Sequence, residues 1–344
     1  MEIIYSPSYQ SFNLIFYFKY VKKQEILIIS NNNELIKICS KLGIKNIKFF
    51  EKYKKFESLL HKKKKIEEFY ERHISKDDNI WIVHNNHDTL GYILALKHSL
   101  KKLNVFFLDF DPIFHRINFI YLIKFFIKKP KVTIYKIYDY LVLKYLFKLS
   151  ISWGSIYSDG NMTFVLDEEN RIKNNFLKPK LKADEIRKKV YSNSDIKYLK
   201  KNNLSIYFGN TIPFHHAYLD NEYFNDTIKQ LNNKIKNFNY KPHPNVQNFI
   251  PKFFPNNKIL DNKLPFILLF NSCNLVISIS SAVLVDVLVN EKIKSISMIE
   301  MLKWKSLKVK EDLKKYLFDL MKKRNLQGVH FPKNIKELLS IIND

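Results

Sequence analysis

Short apolar runs rich in Ile, Val, Phe and Tyr alternate along this chain with longer lysine-rich stretches of helical periodicity, and the alternation occurs twice. A short apolar run bounded by polar residues suits a strand buried on both faces, as in a parallel sheet covered by helices on either side. In the first half Glu2–Tyr5, Ile26–Ser30, Ile47–Phe50, Asn79–Val83 and Asn104–Asp109 predict strands. Stretches such as Asn33–Leu42 and Tyr53–Tyr70 predict the intervening helices. A polar, lysine-rich segment, Asp167–Asn203, then interrupts the pattern. It restarts with strand runs at Leu204–Phe208, Asn237–Lys241, Leu275–Ile279 and Lys294–Met298. At 344 residues the chain exceeds what one core usually holds. The expectation is an α/β protein of two Rossmann-like domains, 1–190 and 191–344, facing across a cleft.

The charge of +25 says less than its size suggests. Only five of the 58 basic residues are arginine, namely Arg72, Arg116, Arg171, Arg187 and Arg324. Specific nucleic-acid readers depend on arginine forks for guanine and phosphate. Lysine here accompanies heavy use of Asn, Ile, Phe and Tyr, a pattern that A+T-rich codons produce. The lysines nevertheless attract anionic substrates and anionic headgroups without specificity. A non-enzymatic polyanion binder is therefore a competing class, and it predicts salt-sensitive binding without nucleotide preference. Two cysteines, Cys39 and Cys273, exclude a disulfide framework and a four-cysteine zinc site. No Walker sequence or Gly-rich dinucleotide loop is present. The opening residues lack a basic start and an apolar core. The longest uncharged run, Leu264–Val285, is broken by Pro265, Asn271, Asn274 and several serines. A cytoplasmic protein is expected, with peripheral attachment at the inner membrane face left open. Leu302–Arg324 carries nine basic and three acidic residues, with Leu313, Tyr316, Leu317, Leu320 and Met321 on one helical face. That face either packs on its own domain or lies on an anionic membrane.

Ligands of parallel α/β sheets bind beyond the carboxyl ends of the strands. In the second half the run Asn237–Lys241 leads into Pro242-His243-Pro244, and Leu275–Ile279 leads into Ser280-Ser281-Ala282. A helix over Ala282–Val289 would start just after the serines, so hydroxyls and backbone N–H groups would converge on an anion, phosphate above all. His243, restricted by flanking prolines, could donate a proton or hydrogen bond to the same phosphate. Taken singly, Ser-Ser before a helix is an N-cap and His-Pro a loop. Gly209-Asn210-Thr211 follows Leu204–Phe208, and its glycine lets backbone approach a ligand, so these three residues and Lys241 join the donor-side candidates. In the first half Asp159-Gly160 reads as a turn, or as a carboxylate able to take a proton from an acceptor hydroxyl.

Ser158-Asp159-Gly160, His243-Pro244 and Ser280-Ser281, in that order, resemble the acidic-Gly, His-Pro and Ser-Ser motifs of bacterial sialyltransferases in glycosyltransferase families 38, 52 and 80. The segments Asp159–Val165 and Ser280–Ile296 look like the family's motif flanks, and the likeness consists of short islands within 157–298. The resemblance implies a GT-B fold, with an N-terminal acceptor domain and a C-terminal nucleotide-sugar domain. It further implies inverting transfer of sialic acid from CMP-sialic acid to a terminal sugar hydroxyl, of galactose or sialic acid, on lipooligosaccharide or capsular polysaccharide. Asp159 would be the general base, and His243 would assist departure of cytidine monophosphate. Ser280, Ser281 and Pro244 would lie around the phosphate. No metal or other cofactor is implied. The first of the two acidic motif positions is Ser158 here, which leaves open whether Asp159 is the base. A transferase of the same architecture using a CDP-polyol or another nucleotide sugar is the alternative.

Asp109-Phe110-Asp111 has the spacing of a metal–diphosphate site of GT-A transferases. A second strand–helix unit would then go unexplained, so Asp109 and Asp111 are assigned to the acceptor side. His84 and His87, which follow the run Asn79–Val83, lack a third metal ligand nearby and are assigned to acceptor binding as well.

Overall fold

A computed structural model of the full chain describes residues 1–6, 9–50, 59–84, 102–107, 127, 130, 134, 141, 151–156, 162–166, 183–193, 203–209, 218–243, 254–255 and 258–344. The chain divides into two compact units, and the change falls between Ile186 and Arg187. It lies inside helix α4 (Ala183–Asn193). Both units are built on parallel sheets, the α/β class that the sequence pattern predicts.

The first unit carries strands β1 (Glu2–Tyr5), β2 (Ile26–Ser30), β3 (Ile47–Phe49), β4 (Asn79–His84) and β5 (Leu103–Phe107). They form one five-stranded sheet in the order β3-β2-β1-β4-β5. Every pairing in it is parallel. Ile3, Ile4 and Ile28 are fully buried, as strands covered on both faces require. Helix α1 (Phe12–Phe16) follows β1, and α2 (Asn33–Lys41) joins β2 to β3. The Asn32 side chain accepts the Glu34 and Leu35 N–H groups at the start of α2. Leu35 and Cys39, four residues apart, form its buried stripe. After α2 the chain turns at Gly43, whose φ of +73° suits glycine. Helix α3 (Leu59–His73) precedes β4. A separate antiparallel pair, β6 (Ile151–Ile156) and β7 (Met162–Leu166), sets Ile156 opposite Met162. The strand patterning had not predicted this pair.

The second unit holds β8 (Leu204–Phe208), β9 (Phe238–Lys241), β10 (Cys273–Ser278), β11 (Lys294–Ser297) and β12 (Val329–His330). Their order is β12-β11-β10-β8-β9, again all parallel. Helix α5 (Asn221–Lys234) carries the chain from β8 to β9, capped by Asp220 and burying Phe224, Thr227, Ile228 and Leu231. That i, i+3, i+4, i+7 stripe is what fastens it to the sheet. Helix α6 (Val283–Asp286) and a 3-10 turn, Val287–Val289, replace the longer helix expected over Ala282–Val289. Four valines in seven residues disfavour a sustained α-helix. Helix α7 (Leu307–Arg324) links β11 to β12, and α8 (Ile335–Asn343) ends the chain.

The apolar face of α7 is spent within its own unit, with Leu313 and Leu317 at 0% exposure and Leu320 and Met321 also buried. Of the two readings of this segment, packing against the domain is the one observed. Among the described residues, no helix is long and apolar enough to cross a membrane.

Candidate active site

Strand order decides where a ligand would enter each unit. In the second, β8 runs to β9 on one side, the chain then crosses back over β8 to β10, and β11 and β12 continue outward. The direction reverses between β8 and β10, and the carboxyl ends there form the switch point at which α/β sheets bind ligands. Strands β9 and β10, which bear the His-Pro and Ser-Ser segments, are not adjacent, because β8 lies between them. Register nonetheless brings their ends level. Phe208 pairs with both Ser278 and Lys241, so the three residues form one lateral row. Ser280 and His243 each lie two residues beyond that row, on the same edge, with the β9 and β10 backbones about 10 Å apart at the row itself.

The three strand ends are held together by polar contacts. Ser278 Oγ donates to the Phe208 carbonyl at 2.9 Å. On the other side, Ser297 Oγ donates to the Ile279 carbonyl at 2.7 Å, and Met298 N–H donates to the Ser278 carbonyl at 2.9 Å. The chain therefore leaves β10 along a fixed course into Ser280 and Ser281. These two serines differ. Ser280 is 2% exposed, whereas Ser281 is half-buried. Ser281 Oγ accepts the Val283 N–H at 3.4 Å, which uses a lone pair and leaves the hydroxyl proton for another partner. Ser281 is the member of the pair better placed to meet a ligand.

On the β9 side, Gly209 N–H donates to the Lys241 carbonyl at 2.9 Å, continuing the ladder past the strand ends. A Cβ at Gly209 would lie 2.6 Å from the Tyr240 hydroxyl oxygen. Tyr240 is fixed by stacking on Tyr207 and Phe254, so only glycine fits this approach. Burial pushes the Tyr240 phenol well above its usual range, so it stays a neutral hydroxyl. His243 is half-buried at the end of this segment.

Lys241 behaves differently from its expected role at the donor. Its side chain is buried, and Nζ donates to the Asn262 carbonyl at 2.8 Å and the Pro242 carbonyl at 3.2 Å. Burial lowers its pKa to about 7, with the charge of Asp261 opposing the shift.

Behind the serine pair lies a charge cluster that sequence reading did not foresee. Asp286, in α6, accepts a hydrogen bond from Arg324 Nη1 at the end of α7. The same carboxylate oxygen lies 3.6 Å from Arg187 Nη1 in α4. Two of the chain's five arginines thus converge on one acid, tying the helix after Ser281 to two others. After β11, Glu300 pairs with Lys310 and Lys314 at 2.6 Å each, and these hydrogen bonds hold its carboxyl below the usual range.

In the first unit the sheet reverses between β1 and β4. The backbone of His84 lies at the carboxyl end of β4, opposite Phe107, beside that switch point. Asp159, with Ser158 and Gly160, lies outside the described residues, as do His87, Asp109, Asp111, Asn210, Thr211 and Pro244.

No protein-family model matches the chain, and no curated protein matches it. Several solved structures are similar to it at low identity. The glycotransferase of kitacinnamycin is 7% identical, with 100% of this chain and 90% of that one covered and a TM-score of 0.43. A UDP-N-acetylglucosamine 2-epimerase is 10% identical over 95% of this chain and 90% of that one, with a TM-score of 0.42. The wall teichoic acid polymerase TagF, soaked with CDPG, is 11% identical over 100% of this chain and 87% of that one, with a TM-score of 0.38.

Proposed function

We propose that this protein is an inverting glycosyltransferase of GT-B type that moves sialic acid from CMP-sialic acid to a terminal sugar hydroxyl of a surface glycan or glycolipid. The observation that carries the reading is the level alignment of three strand ends at the second unit's switch point. Gly209, His243 and Ser281 follow three neighbouring strands whose ends stand level in register. In this reading the acceptor hydroxyl attacks the anomeric carbon as the bond to the phosphate oxygen breaks. The hydroxyl proton passes to Asp159, and the electron pair leaves with cytidine monophosphate. Ser281 and backbone N–H groups at the strand ends hydrogen-bond the phosphate, while His243 donates to the departing oxygen. A leaving group with one phosphate is within the reach of such donors, so the scheme calls for no metal. The lysine-rich surface favours approach of an anionic donor.

Thermal unfolding with CMP, CDP and UDP tests this reading. At a hundredfold excess over Kd, a nucleotide that fits stabilises by about 2.7 kcal/mol, which raises Tm by roughly 5–10 °C. CMP is expected to give the largest rise. A larger rise with CDP would favour a CDP-linked donor. Equal small rises with all three and with inorganic polyphosphate would replace the reading with general polyanion binding.

A further inference from the structure

A lysine at the mouth of an anion site would ordinarily be read as a phosphate contact, but Lys241 is turned away from that task. It is 3% exposed, and its Nζ lies between two backbone carbonyls, Pro242 at 3.2 Å and Asn262 at 2.8 Å. A neutral amine has two N–H donors, and an ammonium has three. The two carbonyls, that of Pro242 buried and that of Asn262 part-buried, take two of these donors, and burial lowers the amine's pKa to about 7.

Both partners of this bridge matter for His243. One is the carbonyl of the residue just before it. The other belongs to a turn with its own anchors. Ile259 bridges to Tyr240 alongside β9, and Leu260 N–H donates to the Tyr240 carbonyl at 2.8 Å. Asp261 then accepts Lys263 N–H through Oδ1 at 2.9 Å, and its carbonyl accepts Leu264 N–H at 3.1 Å. From the opposite side, Gly209 N–H holds the Lys241 carbonyl. The chain entering His243 is thereby fastened on both flanks, and on the outer flank the Lys241 side chain supplies the two bonds that join Pro242 to Asn262.

We propose that Lys241 is a positioning residue for His243, its side-chain nitrogen clamping the turn to Asn262 so that the imidazole is held at the sheet's carboxyl edge before a nucleotide arrives. The inference rests on the proposed function for the importance of His243, and on the hydrogen bonds alone for the clamp. Lys241→Met keeps the apolar stem and removes both donors. Lys241→Gln keeps an NH2 group on a shorter arm.

Two measurements on the full chain test the clamp. In amide hydrogen exchange without nucleotide, Lys241→Met should exchange at least tenfold faster across 242–243 and 262–264, with β8 and β10 unchanged and Lys241→Gln intermediate. In CMP titration, Lys241→Met should weaken binding about tenfold, and the double variant with His243→Ala should bind no more weakly than His243→Ala alone. Unchanged exchange in those segments, uniform acceleration across the sheet, additive losses in the double variant, or failure of both single variants to fold would each overturn the proposal. Should the unaltered protein bind no CMP, the functional reading fails, and the exchange measurement still decides whether the clamp exists.

Discussion

Replacing His243 with alanine is expected to lower transfer from CMP-sialic acid to a galactose-terminated acceptor by roughly 10²–10⁴-fold, the usual yield of one positioned proton donor. Stability should change by about 1 kcal/mol or less, because the residue is only half-buried and its truncation opens no core cavity. The loss should fall mainly on kcat, since a donor to the departing phosphate is worth most when charge accumulates there. A donor with a better leaving group than cytidine monophosphate should recover part of it. A His243→Ala variant with full transfer and an unchanged pH profile would remove the imidazole from the chemistry.

The second large effect is on the fold. Asp286→Ala is expected to destabilise the second unit by about 3–5 kcal/mol, the usual result of stripping the partner from a buried charge. Arg324 has only 3% of its side chain exposed and Arg187 15%, so solvent can do little to replace the carboxylate. A unit of this size should lose roughly 10 °C or more in Tm. Because α6 begins two residues after Ser281, CMP binding should weaken as well. Chemical denaturation of the single variant provides the check. A loss below about 1 kcal/mol would mean that the cluster behaves as a screened surface pair.

What could be read from the sequence follows from how local each signal is. Strands such as Ile26–Ser30 and Leu204–Phe208 are buried at every position, and that appears in the chain as unbroken apolar runs. Helix α2 announces itself through Asn32 and its apolar spacing. Strand order leaves no such mark, so the insertion of β8 between the His243 and Ser281 segments was not legible. Strand β12, at two residues, is too short to show a pattern. Asp286 reads as an ordinary acid after three apolar residues, and its arginines are 99 and 38 positions away, in 187 and 324. Lys241 stands among the donor-side candidates because its strand leads into His243. Its real partners are backbone carbonyls, which any sequence supplies.

The central claim is that the residues following β8, β9 and β10 form a nucleotide-phosphate site. The most direct measurement is a crystal structure of the protein with bound CMP. The account predicts the phosphate at the carboxyl edge of the second sheet, within hydrogen-bond distance of both Ser281 and the His243 imidazole. A phosphate bound elsewhere, or CMP binding that leaves both residues untouched, would contradict it.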